Sequence, residues 1–290
     1  MLALSFSEFR SFLQRRVRPT MTKPIEATPF NRLLLTGAAG GLGKVLRPRL
    51  AAMSKTLRVS DIGAMDPAAA HEEVVTCDLG DAEAVHSLLA GVDAVVHLGG
   101  VSVEGPWGPI LNANVMGVHN LYEAARIHGT KRVIFASSNH AVGFYKQSDF
   151  IDADAPTRPD GNYGLSKVFG EQVSRFYFDR YGIETVCIRI GSSFPKALDR
   201  RMMMSWLSYD DLTELIRRGL FTANVGHTIV FGASDNKNPW WNNAKAAHLG
   251  WTPRDSSEPF RAEVEAQPPV ADGDPLMIYQ GGRFVAQGPF

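Results

Sequence analysis

A short apolar run that ends in a glycine-rich turn constrains this chain more than any other stretch. Asn31 to Lys44 reads NRLLLTGAAGGLGK: Leu33-Leu34-Leu35 meets Thr36, then Gly37, Gly40 and Gly43, before apolar positions resume with Leu42, Val45 and Leu46. The pattern predicts strand, tight turn, helix. Glycine permits the sharp turn and lets a diphosphate approach the first amides of the helix, where unpaired N–H groups and partial positive charge collect. Gly37 and Gly40 stand three apart, so the spacing departs from G-x-G-x-x-G, and an ordinary glycine-rich turn competes with the phosphate reading. The choice between them rests on the remainder of the chain.

The 290 residues suffice for one large domain, or for one domain and a smaller appendage. Thirty basic residues stand against thirty acidic ones, interspersed along the chain, which gives no ground for expecting nucleic acid as a partner. Cys77 and Cys187 sit among β-branched residues in predicted strands, where a small buried thiol is ordinary, so neither a disulfide nor a metal is expected. No apolar run approaches a membrane span and no cleavage site follows a hydrophobic core, so no membrane partner and a reducing, cytoplasmic setting are expected. Residues 1 to 30 read as an extension. Their first twenty positions carry Arg10, Arg15, Arg16, Arg18 and one acid, which can mark an organelle address, although Met21 as the natural start is the preferred reading.

Taken in order, the chain alternates strands with helices. Pro48 should kink or shorten the first helix. Leu57 to Ser60 reads as a second strand ending in Asp61, placed where an acid can accept both ribose hydroxyls of NAD and repel a 2′-phosphate; Arg58 falls within the strand, ahead of its tip. Val74 to Cys77 is a third strand, ended by Asp78, and Asp93 to Leu98 a fourth, ended by Gly99-Gly100. His97 reads as a core histidine, since no second histidine stands at metal spacing. A helix over Pro109 to His128 carries Asn112 and Asn114. Arg132 to Ala136 makes a fifth strand, capped by Ser137 to His140, and residues 184 to 190 a sixth, ended by Gly191-Ser192-Ser193. Every unusual polar cluster follows the carboxyl end of a strand, the edge where open α/β sheets bind ligands. Beyond 193 a Met-rich stretch, a helix near Asp210 to Leu220 and a short strand His227 to Phe231 suggest a small lobe over that edge, with Met202 to Met204, Trp240 and Trp241 as packing. Pro268 to Pro275 reads as extended.

Near Gly161 a helix begins with Tyr163-Gly164-Leu165-Ser166-Lys167. Four residues apart, the phenol and the ammonium share a helical face, and a neighbouring cation favours phenolate, which a proton-accepting tyrosine needs. Ser138 stands ready to hydrogen-bond the reacting oxygen. A surface pair is the competing reading.

TGAAGGLG, HLGG, the asparagines at 112 and 114, FASSNH and YGLSK together resemble the extended short-chain dehydrogenase/reductase superfamily, whose glycine pattern is TGxxGxxG. VHLGGVSVE, NLYEAARIHG, VIFASSNHAVGFY, RPDGNYGLSK, RIGSS, RMMMSW, VFGAS, NPWWNN and LGW resemble more closely the bacterial NAD-dependent uronate dehydrogenases, from about Arg32 to the C-terminus. The resemblance implies an α/β fold, a Rossmann-like doubly wound parallel sheet with a small C-terminal substrate-binding lobe, dividing into 31–193 and 194–290. It implies oxidation of the C1 hemiacetal hydroxyl of a hexuronate to an aldarolactone with NAD reduced, and a homo-oligomer is expected. Tyr163 would be the base, Lys167 its tuning cation and ribose ligand, and Ser138 the partner of the substrate oxygen. Ser102, Asn139, His140 and Ser192 would line the sugar, with Arg201 pairing bidentately with its C6 carboxylate. Gly37, Gly40, Gly41, Leu42, Gly43, Asp61, Asp78, Leu79, Leu98, Gly99, Gly100, Val101, Ser102, Lys167 and Ser193 would contact NAD, and no metal is implied. From the residues alone, Arg201 is a loop cation beside Arg200 and Asp199, and His140 can simply hydrogen-bond locally. A nucleotide-sugar epimerase or dehydratase ranks second, disfavoured by the few basic residues after the sixth strand; a non-catalytic NAD-sensing regulator ranks third, since tyrosine and lysine both stand.

Overall fold

A computed structural model describes residues 28–288 and 290; the reading of an N-terminal extension falls, except for its last three positions, outside them. β1 (Phe30–Thr36), β2 (Ser54–Asp61), β3 (Glu72–Thr76), β4 (Ala94–His97), β5 (Arg132–Ser138), β6 (Glu184–Ile190) and β7 (His227–Gly232) form one parallel sheet in the order β3-β2-β1-β4-β5-β6-β7. Leu33 and Leu35 face the side covered by α1 (Gly41–Leu50), whereas Leu34 faces α2 (Ala82–Leu88), α3 (Gly117–His128) and α4 (Asn162–Tyr181). All three leucines are fully buried, which is why the strand is a continuous apolar run and not an alternating one. The strand order reverses between β1 and β4, so a crevice opens at the carboxyl edge between them.

Residue 193 does not divide the molecule. The helix α5 (Tyr209–Phe221) and strand β7, expected in a separate lobe, complete the sheet, with Thr185 to Ile190 paired in register against His227 to Gly232. Leu212, Leu215, Ile216 and Leu220 of α5 bury in the same cluster as Leu33 and Val186. The sheet therefore has a seventh strand, because the apolar face of α5 has to be buried and β6 offers an unpaired edge. The segments that follow wrap the carboxyl edge. Trp240 and Trp241 pack with Val142, Ile151 and Phe231, and Met203 packs with Trp206 and Val264, so the tryptophans and methionines serve packing as expected.

Two helices differ from expectation. The helix α1 continues through Pro48 to Leu50 and loosens into a 3-10 turn at Ala51–Met53, so it ends within a turn of the proline, whose missing N–H leaves the Lys44 carbonyl without its i+4 donor. The helix expected over Pro109 to His128 is broken into Trp107–Ile110, a π turn at Leu111–Met116, and α3. The wide turn accompanies the inward placement of Asn114, which is 2% exposed and bonded to another segment. Residues 268–274, expected to be extended, are irregular with a turn at Asp272-Gly273, and a short helix, Pro275–Ile278, follows.

Candidate active site

A cleft of about 1030 Å³ lies along the carboxyl edge, and every residue expected at the site lines it. Its first half is built by backbone. Gly37 has φ +73°, and a Cβ there would stand 2.7 Å from the Leu98 carbonyl carbon; at Gly43 a Cβ would stand 2.0 Å from the Gly37 oxygen. No side chain caps the N-terminus of α1, where Gly40, Gly41 and Leu42 border the cleft. Asp61 is held at the tip of β2, accepting the Ala39 N–H on Oδ2 and the Gly63 N–H on Oδ1, each at 2.9 Å. Arg58 is turned away to Glu73 and the carbonyls of Leu88 and Ala90. Asp78 accepts the Gly80 N–H beside Leu79. The wall from Leu98 through Gly99, Gly100 and Val101 to Ser102 is fixed at Val101, whose N–H and carbonyl both bond the Asn114 amide, at 2.7 and 2.9 Å. The Ser193 hydroxyl is buried without a partner. A glycine cradle, an uncapped helix start, a fixed acid at the second strand tip and an unpartnered hydroxyl fit a dinucleotide.

At the centre stands α4. Its first amides are capped from the loop after β4 by Glu104, which accepts the N–H groups of Asn162 and Tyr163, each at 2.9 Å. Tyr163 and Lys167 follow on one face, 8% and 6% exposed, with the Lys167 Nζ 5.5 Å from the phenol ring centre. One turn on, Glu171 bonds Ser137 at 2.6 Å and takes the Arg189 Nε and Nη2 at 2.9 and 2.8 Å, which bolts α4 to β5 and β6. Ser138 ends β5, and its hydroxyl accepts the His140 N–H at 3.2 Å. Burial pushes the Tyr163 phenol up to about 12, with Ser138 opposing, and lowers Lys167 to about 8. Burial dominates both groups, so in the free protein the phenol stands above its ordinary value and not below it as expected from the neighbouring cation. His97 is a core residue, bonded through Nδ1 to the Thr36 Oγ1 at 2.7 Å.

The far end of the cleft resolves the two arginines. Arg200 runs outward to the carbonyls of Glu265, Gln267 and Pro268. Arg201 is 7% exposed and donates from Nε to the Gln280 carbonyl at 2.6 Å and from Nη1 to the Ser192 hydroxyl at 3.3 Å, while its Nη2 has no partner. Asn139 also reaches the Gln280 carbonyl, and His140 bonds Asp160 and stacks on Phe284. Glu104, Asp160, Gln280 and Phe284 were not legible beforehand. The first two lie within the stretches VHLGGVSVE and RPDGNYGLSK, but nothing local gives either a partner, and the last two belong to a tail whose sequence gives no sign that it folds back.

Sheet order, glycine turn and the Tyr163–Lys167 pair define an NAD-handling extended short-chain dehydrogenase/reductase. Residues 33–207 match the NAD dependent epimerase/dehydratase family. A uronate dehydrogenase of Pseudomonas putida is 66% identical over 91% of this chain and 98% of its own length. A glucuronic acid dehydrogenase structure from Chromohalobacter salexigens, 53% identical, superposes with TM-score 0.87 over 89% of this chain and 97% of that one. A uronate dehydrogenase variant from Agrobacterium tumefaciens complexed with NAD, 48% identical, superposes with TM-score 0.88 over 90% and 99%. The chain belongs to the uronate dehydrogenase family.

Proposed function

We propose that the enzyme oxidises the C1 hemiacetal hydroxyl of a hexuronate pyranose, such as D-galacturonate or D-glucuronate, to the aldarolactone. Bound NAD supplies the acceptor for the C1 hydride. As the C1–O bond becomes a carbonyl, Tyr163 in its phenolate form takes the substrate's hydroxyl proton and the Ser138 Oγ hydrogen-bonds the reacting oxygen. Lys167 sets positive charge beside the phenol and holds the nicotinamide ribose. Asp61 accepts the adenosine ribose hydroxyls, and the glycine turn cradles the diphosphate. Ser102, Asn139, His140 and Ser192 border the sugar.

Arg201 carries the substrate assignment. A buried guanidinium that lines the cleft and keeps one nitrogen, Nη2, without a partner suits a carboxylate, and a neutral sugar would leave that donor without an anionic acceptor. Burial also lowers its pKa from the ordinary arginine value, the condition an anionic partner relieves. Lys167 and Arg201 are the only lysine and arginine among the lining residues, too few to hold a nucleotide diphosphate beside the cofactor, which disfavours the epimerase reading. The decisive experiment follows NADH absorbance with free uronates, the matching neutral aldoses and UDP-sugars. Turnover of free uronates alone is expected; turnover of UDP-sugars alone would overturn the assignment. Tyr163→Phe should abolish turnover while NAD still binds.

No described helix is long and apolar enough to cross a membrane, and both cysteines are free and buried, which supports a reducing, cytoplasmic setting. Leu165, Phe169 and Phe176 lie exposed along α4, which supports self-association through that helix, to be checked by light scattering.

A further inference from the structure

The sugar end of the cleft holds a second group whose hydrogen-bonding sense is fixed. His140 lies in a 3-10 turn, Asn139–Val142, directly after β5. Its ring stacks on Phe284 at 4.0 Å and 18°, and meets the Tyr163 ring edge-on at 5.8 Å. Its Nδ1 is 2.7 Å from the Asp160 Oδ2. Asp160 has little freedom to turn away. It is 4% exposed, its N–H bonds the His140 carbonyl at 3.3 Å, and Gly143 and Gly281 press on the carboxylate so closely that a Cβ at either would stand 1.9 or 1.8 Å from Oδ2.

A carboxylate has only acceptors, so the proton of this bond sits on Nδ1. Burial holds the ring below the usual histidine pKa despite the pull of Asp160, which keeps it neutral. A neutral ring with Nδ1 protonated carries a lone pair on Nε2, and His140 borders the cleft. Arg201, also on the cleft, can only donate. We infer that Asp160 is a positioning residue that fixes the His140 Nε2 as acceptor for one ring hydroxyl of the uronate, and that this acceptor, set against the Arg201 donor, decides which way round the sugar lies. A substrate carboxylate turned toward His140 would meet a lone pair and the charge of Asp160 behind it, whereas a hydroxyl turned there donates. This inference rests on the uronate reading for its ligand, but not for the state of the ring.

Nitrogen-15 NMR of histidine-labelled enzyme with NAD bound reads the ring state directly, with His140 assigned by comparison with His140→Phe. The expected result is a protonated Nδ1 and a bare Nε2; a protonated Nε2 would overturn the inference. Hexuronates each lacking one ring hydroxyl then supply the kinetic arm. The native enzyme should lose about tenfold in kcat/KM against one of them, chiefly through KM. Both His140→Phe and Asp160→Leu should erase that discrimination, and its survival in either folded variant would refute the role. Should Asp160→Leu fail to fold, the ring state and His140→Phe still decide. Absence of turnover with every uronate would count against the proposed function alone, since the ring state is measured without substrate.

Discussion

The Glu104 Oε2 accepts the backbone N–H of Tyr163 at 2.9 Å, so a side chain from the loop after β4 holds this tyrosine by its main chain. The same carboxylate takes the Asn162 N–H and places negative charge at the start of α4, where the helix dipole favours it. Replacing Glu104 with alanine removes a cap worth about 1 kcal/mol and frees the first turn of α4. The expected outcome is a lower melting temperature together with a fall in kcat of about tenfold, with the KM for NAD little changed. A thermal melt and steady-state kinetics check it, and a full kcat would show that the tyrosine is held by other contacts.

Raised to about 12, the Tyr163 phenol is protonated at neutral pH in the free protein. The base form grows as pH rises, so kcat/KM should climb from pH 7 toward 9. Lys167 sits near 8, so its charge fades above that pH and the climb should flatten there. Lys167→Met should lower kcat/KM by about a hundredfold and move the rising limb to higher pH, because a cation beside a phenol favours phenolate. A pH profile of both proteins tests this, and identical limbs would remove Lys167 from proton chemistry.

His97 gives a stability test that does not depend on substrate. Burial, aided by Lys167, lowers its pKa to about 3 against an ordinary 6.5. A folded-state pKa below the unfolded one means that the unfolded chain binds the extra proton between these values. The contribution of His97 is therefore complete above about pH 6.5 and declines as pH falls toward 3, at up to about 1.4 kcal/mol per pH unit. Denaturant titrations from pH 7 to 4 should show this slope, and His97→Gln should flatten it.

Asp61 should decide between the two nicotinamide dinucleotides. Asp61→Ala removes the acceptor for the ribose hydroxyls and the charge that repels a 2′-phosphate. The KM for NAD should rise about tenfold and the preference over NADP should shrink toward equality. An unchanged preference would assign discrimination to another residue.

Local spacing determined a great deal. Leu33-Leu34-Leu35 before a glycine turn read as a strand, Gly37 and Gly43 stand where a Cβ would strike backbone, and Tyr163 and Lys167 share a face because helical geometry places residues four apart together. The Gly43 approach and the Tyr163–Lys167 pairing rest on contacts within a few residues of chain, which is why they were legible, whereas the strand's burial and the close approach of Gly37 to Leu98 are made across the fold. The tertiary structure decided what long-range closure decides. It joined β7 to β6, brought Glu104 to Tyr163, set Asp160 behind His140, and returned Gln280 and Phe284 to Arg201 and His140. It also reversed the expected effect on the Tyr163 phenol, because the cost of burying a charge depends on everything packed around it and not on the lysine one turn away. The sequence by itself determined a dinucleotide edge with a tyrosine and a lysine on it; only the fold decided which arginine faces the cleft, because that depends on where the last turns of the chain come to rest.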